Sequence, residues 1–197
     1  MKKAVIYIHG KGGSADEAEH YKPLFADCDV IGFDYKAETP WEAKEEFPKL
    51  FNAVAETHSS VTLIANSIGA YFAMSGLVDR QIEKAYFISP IVDMETLISD
   101  MMAWAGVTEN ELRKKKEIKT AFGETLSWDY LCYVRSNPIA WRAPTHILYG
   151  EQDTLTAFST VSSFAEATGA SLDVMQGGEH WFHTPQQMAF LDEWIKK

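Results

Sequence analysis

The stretch "LIANSIGAY", residues 63–71, decides how this chain is read. An apolar run ends, one residue turns the corner, and Ala70, Tyr71, Met74, Leu77 and Val78 then recur at helical spacing. The corner residue is Ser67. A serine at such a place is ordinarily a helix cap, but it can also be a nucleophile held on a sharp strand-to-helix turn. That turn follows the pattern G-x-S-x-G, which here reads Ala65-Asn66-Ser67-Ile68-Gly69. Small residues are needed two before and two after the serine, because strand and helix pass close together there. Gly69 meets the need fully, and Ala65 meets it with one methyl to spare.

Working outward, short apolar runs alternate with helix-length segments. The runs Ala4–Ile8, Val30–Phe33, Val61–Ala65, Ala85–Ile88, His146–Tyr149 and Leu172–Met175 carry few charges, as strands covered on both faces do. Thr184 and Pro185 open a last amphipathic helix with Met188, Leu191 and Trp194 on one stripe. The alternation predicts an α/β fold: a three-layer, doubly wound, parallel six-stranded sheet. Residues Ile91 to Arg142 break the rhythm. They read as helices without a strand, a helical cap insertion of about 91–142 within a single domain spanning 1–197.

Parallel sheets bind ligands at the carboxyl ends of their strands, so the residues just past each strand carry the chemistry. A serine hydroxyl needs a base, and the base needs an orienting acid. "LYGEQDTLT" places Asp153 past the strand ending at Tyr149, and "MQGGEHWFH" places His180 past the strand ending at Met175. The chain order is Ser, Asp, His. His183 is the alternative base, and Glu151 and Asp93 are the alternative acids, Asp93 following the earlier strand in "FISPIVD". An oxyanion needs preorganised donors. The N–H of Ile68 follows the nucleophile, and "IHGKGGSAD" offers the N–H of Lys11, with His9 supporting that loop.

Taken in order, "YIHGKGG", "ANSIGA", "ILYGEQD" and "GGEHWF" resemble the small α/β-hydrolases of the serine hydrolase type, in particular compact bacterial esterases that lack the first two strands of the full fold. The resemblance covers nearly the whole chain. It implies Ser67 as nucleophile, His180 as base, Asp153 as orienting acid, and Lys11 and Ile68 as oxyanion donors. It implies acyl transfer on small-molecule carboxylic esters, with thioesters or amides as alternative substrates on the same residues. It also implies that the insertion shapes the substrate pocket, and it calls for no cofactor and no metal.

Composition narrows the remaining classes. The 197 residues carry 18 basic and 28 acidic side chains, a formal charge of −10, which suits neither nucleic acid nor any other phosphate backbone. No stretch has the length of a membrane span, and the apolar run after Lys2-Lys3 is too short for a signal peptide. Cys28 and Cys132 make neither a disulfide framework nor a metal cluster, and the six histidines show no ligand spacing. The expectation is a cytoplasmic protein acting on a small molecule; no residue pattern bears on its oligomeric state. Two other classes compete. Gly10 to Ala15, "GKGGSA", with Asp34 closing the second strand, fits a dinucleotide-binding fingerprint. A non-catalytic binding protein on a hydrolase scaffold is the other. The first leaves Ser67, Asp153 and His180 unexplained, and proteins of the second kind usually lose one of the three, all of which are present here.

Overall fold

The computed structural model describes residues 1–196. Its main sheet has six strands, all parallel: β1 (Lys3–Ile8), β2 (Cys28–Phe33), β3 (Val61–Asn66), β4 (Lys84–Ile88), β7 (Thr145–Gly150) and β8 (Ser171–Met175). Their spatial order is β2-β1-β3-β4-β7-β8. Each lies within two residues of a run legible in the sequence. The four inner strands are almost wholly buried, while the edge strands β2 and β8 are half-exposed. This burial on both faces is why the inner runs show no polar alternation.

One face of the sheet is covered by a 3₁₀ segment, Ala15–Phe25, and by α7 (Pro185–Ile195). There Val5, Tyr7, Ile64, Tyr86 and Leu148 pack with Tyr21, Leu191 and Trp194 in one cluster. His20 Nε2 meets Asp192 Oδ1 at 2.7 Å and ties the two covering elements together. The other face carries α1 (Pro40–Thr57), α2 (Ile68–Gly76) and α6 (Phe158–Thr168). Phe47 of α1 is its anchor, 1% exposed, with its ring 4.8 Å from Phe33, 5.2 Å from Tyr35 and 6.3 Å from Phe72.

The order of strands reverses between β1 and β3, the two strands that start connections in opposite directions. A crevice forms outside the carboxyl ends at such a reversal. Register brings the ends level. Ile8 pairs with Ala65, Asn66 with Ile88, and Gly150 with Met175. The residues that follow each strand therefore emerge along one rim.

The chain divides into two compact units, 1–92 with 140–197, and 93–139. The second contains α3 (Met94–Ala105), α4 (Glu109–Lys115) and α5 (Trp128–Ser136). It also contains an antiparallel pair, β5 (Glu117–Lys119) and β6 (Thr125–Ser127), where the sequence pattern predicts helix alone. The reason is local. Lys116 takes a left-handed φ of 67° and ends α4, and Gly123 at φ 89° lets the chain reverse, with Thr120 N–H donating to Glu124 O. Within this unit Arg135 forks onto Glu109 at 2.9 and 3.0 Å and reaches Glu95 at 2.7 Å, joining three helices.

Replacing Phe47 with Ala would empty the centre of the α1–α2 layer. The expected cost is about 3–5 kcal/mol, read from urea denaturation midpoints. A loss under about 1 kcal/mol would show that this layer is not packed as described.

Candidate active site

Ser67 sits between β3 and α2 with φ 50° and ψ −120°, a conformation that a side-chain-bearing residue rarely adopts. Several bonds impose it. Ser67 N–H donates to Ile88 O at 3.0 Å, and Ser67 O accepts from Ala70 N–H and Ile91 N–H, each at 3.2 Å. Its side chain makes no cap bond to the helix that follows, so the capping role is not filled. Gly69 is required by contact: a Cβ there would lie 2.4 Å from His9 O and 2.9 Å from Ile8 O. The helix thus starts directly against the end of β1.

The freed hydroxyl meets an imidazole. Ser67 Oγ is 2.8 Å from His180 Nε2, and His180 Nδ1 is 2.7 Å from Asp153 Oδ2. The Asp153 side chain is fully buried. Its Oδ1 accepts from the N–H groups of Leu155 (2.8 Å) and Thr156 (3.1 Å), and its Oδ2 accepts from Thr156 Oγ1 at 3.1 Å. Burial alone raises the pKa of this carboxyl. The bond and charge of His180, with the Thr156 and Leu155 amides, outweigh burial and hold it below the usual carboxylate range. An ionised carboxylate only accepts, so His180 Nδ1 carries the hydrogen, Nε2 is the acceptor, and Ser67 donates.

The loops that bring these groups together are interlocked. A Cβ on Gly150 would lie 2.5 Å from both Gly178 O and Glu179 O, so the loop carrying His180 passes over the end of β7. Gln152 N–H donates to Gly178 O at 2.8 Å, and Glu151 Oε2 accepts from Gly177 N–H at 2.9 Å. Glu151 is therefore engaged with the loop backbone. Asp93 caps α3 through Thr96 N–H (2.9 Å) and Thr96 Oγ1 (2.7 Å), and His183 Nδ1 bonds Trp181 O at 2.6 Å. Of the alternatives read in the sequence, none takes part in the bonded chain of Ser67, His180 and Asp153.

At the end of β1, His9 stacks on Tyr35 at 4.3 Å, and Tyr35 OH donates to His9 O at 2.8 Å. The chain then turns at Gly10–Gly13, with Gly13 N–H donating to Gly10 O at 3.1 Å. Lys11 lies inside that turn. Ile68 is the first residue of α2, so its N–H has no acceptor within the helix. A cavity of about 720 Å³ is lined by Lys11, Ser67 and His180, with Tyr21, Leu155 and Phe182 among its apolar walls. The segment after the glycines is 3₁₀ rather than α-helical, and the Asp34 carboxylate is 72% exposed and paired with Lys36. The glycine-rich turn faces the serine and imidazole. Among the described residues, no three or more His, Cys, Asp or Glu side chains gather as a metal site. Among them too, no helix is long and apolar enough to cross a membrane.

No family model matches the sequence, and no curated protein is similar to it. Solved structures are similar in three dimensions. A protein from Agrobacterium vitis S4 matches with a TM-score of 0.78 at 18% identity, over 99% of this chain and 87% of its own. Alpha/beta hydrolase domain-containing protein 10 from mouse matches with a TM-score of 0.77 at 16% identity, over 98% and 87%. Est1E from Butyrivibrio proteoclasticus, which is also known with ferulic acid bound, matches with a TM-score of 0.76 at 15% identity, over 99% and 85%. The fold is that of the α/β-hydrolases. In this α/β-hydrolase fold the crevice also holds residues that the motif reading passes over, namely Tyr7, Glu17, His20 and Asn66. Ser14-x-x-Glu17 is a capping-box pattern and signals that Glu17 folds back on its own loop. Nothing in the sequence signals that Tyr7 and Asn66 meet.

Gly69→Ala would drive a methyl group into the backbone of β1. The expected destabilisation is about 1–3 kcal/mol by chemical denaturation. An unchanged midpoint would contradict the contact between α2 and His9.

Proposed function

We propose that the protein is a serine hydrolase that cleaves small-molecule carboxylic esters through an acyl-enzyme on Ser67. The observation that carries this reading is the continuous chain of Ser67 Oγ, His180 and Asp153 at 2.8 and 2.7 Å, ending at a serine in a strained corner. A serine hydroxyl is a weak nucleophile unless a base takes its proton, and here the acceptor nitrogen already holds that hydrogen bond. Ser67 attacks the ester carbonyl while His180 Nε2 takes the proton. The N–H groups of Ile68 and Lys11 receive the oxyanion, the role for which preorganised backbone donors are suited. His180 returns the proton to the leaving alcohol, and water repeats the cycle on the acyl group. Asp153 keeps the imidazole in the working tautomer and stabilises its charged form.

A cavity of about 720 Å³ accepts a carboxylic acid of modest size. The similarity to Est1E, seen with ferulic acid, supports esters of such acids as the first substrates to try.

The test is activity over p-nitrophenyl esters of graded chain length. Ser67→Ala and His180→Ala are each expected to lower kcat by at least about 10³-fold. Hydrolysis that survives Ser67→Ala would remove the proposal. The Asp153 carboxyl stays ionised through the range, about pH 6–7, where an imidazole ordinarily changes charge. It is therefore charged wherever it has an imidazolium to stabilise, and Asp153→Asn should lower kcat by about 10³–10⁴-fold. A kcat unchanged by Asp153→Asn would contradict the assignment of the orienting acid.

A further inference from the structure

Behind the serine lies a second polar chain that the reaction scheme does not use. Asn66, the last residue of β3, donates from Nδ2 to Tyr7 OH at 2.9 Å. Tyr7, on the neighbouring β1, donates in turn to Glu17 Oε2. The direction is fixed, because a carboxylate accepts, which leaves the phenol oxygen to receive the amide hydrogen. Glu17 Oε1 then accepts from Ser14 N–H at 3.3 Å, and it touches Gly13, where an added Cβ would lie 2.8 Å away. The Gly10–Gly13 turn leads back, and a Cβ on Gly10 would lie 3.3 Å from Ser67 Cβ and 3.4 Å from Asn66 O. The circuit closes on the elbow where it began.

We propose that Asn66, Tyr7 and Glu17 are positioning residues, a polar strut that sets the height of the Gly10–Ser14 loop over Ser67. This inference rests on the serine hydrolase reading, because its purpose is to fix the Lys11 donor relative to the oxyanion. Tyr7 is 1% exposed within a hydrophobic cluster, and a phenylalanine there would fill the same space without a hydroxyl to satisfy. Burial drives its ionisation far above the ordinary phenol range, so the hydroxyl remains a donor at any pH at which the protein works. All three residues line the cavity that holds Ser67 and His180, and Glu17 is the link between the sheet and the loop. Without that link the loop keeps its glycines and its 3.1 Å turn bond, but not its distance from the serine.

The experiment uses p-nitrophenyl acetate with Tyr7→Phe, Glu17→Gln and Glu17→Ala, each rate divided by the sites titrated with a fluorophosphonate. Misplacing a donor acts on the transition state more than on substrate binding. The expected result is a fall in kcat per titrated site of about 10- to 100-fold, with KM changed by less than about threefold. Glu17→Gln, which keeps one acceptor, should retain more activity than Glu17→Ala. A lowered melting temperature with kcat per site within about twofold of wild type in both Tyr7→Phe and Glu17→Ala would overturn the strut and leave these residues a merely structural part. Should Tyr7→Phe fail to fold, the Glu17 pair decides by the same criterion. Ser67→Ala in the same assay separates the two claims: a retained rate there defeats the hydrolase reading, and the strut with it.

Discussion

The reversal of the chain at Ser67 is the constraint on which the rest of the molecule turns. A residue with a side chain is held at φ 50° because its amide and carbonyl are both claimed by β4 and the segment after it, and because α2 has room to start against β1 only through Gly69. A backbone conformation of this kind costs of order 1–3 kcal/mol and persists only where the surroundings over-determine it. Here they do. The same contacts that impose the corner bring the ends of β1, β3 and β4 level, so geometry at one residue fixes the rim on which every candidate group stands.

The sheet was readable because burial on both faces leaves a plain chemical trace: six short, nearly uncharged runs separated by amphipathic segments. The rim positions of Ser67, Asp153 and His180 were readable for a related reason. In a parallel sheet a residue's place just after a strand fixes its place on the rim, and both are one-dimensional facts. What the sequence concealed depended on side chains meeting across strands. Tyr7 looks like one more apolar residue of β1, and Asn66 looks like the filler of an elbow. Their bond appears only when β1 and β3 lie side by side. The β5–β6 pair escaped because each strand is three residues long and its neighbours read as helix. The basic run ending in Lys116 continues a helical pattern until a left-handed backbone stops it.

Electrostatics set the two polar chains apart. In the Ser67 chain, a carboxylate held ionised by its amides and by His180 ends a run of hydrogen bonds that begins at the serine hydroxyl. In the Tyr7 chain, a phenol that burial keeps protonated offers a fixed donor and no mobile charge. One chain suits chemistry and the other suits support. Both begin at the 66–67 peptide, one from each residue.

The placement of the three groups along the chain has a consequence for biosynthesis. The serine directly follows the third strand to be made. The carboxylate arrives only after the 93–139 unit, and the imidazole comes on the loop before the last helix. A ribosome-bound fragment can therefore display a hydroxyl at the edge of a half-built sheet, yet it has nothing to activate it. The helix that follows the loop of His180 contributes Leu191 and Trp194 to the apolar cluster on one face of the sheet. On the serine hydrolase reading proposed above, the hydroxyl therefore acquires its base only once the loop of His180 has been made.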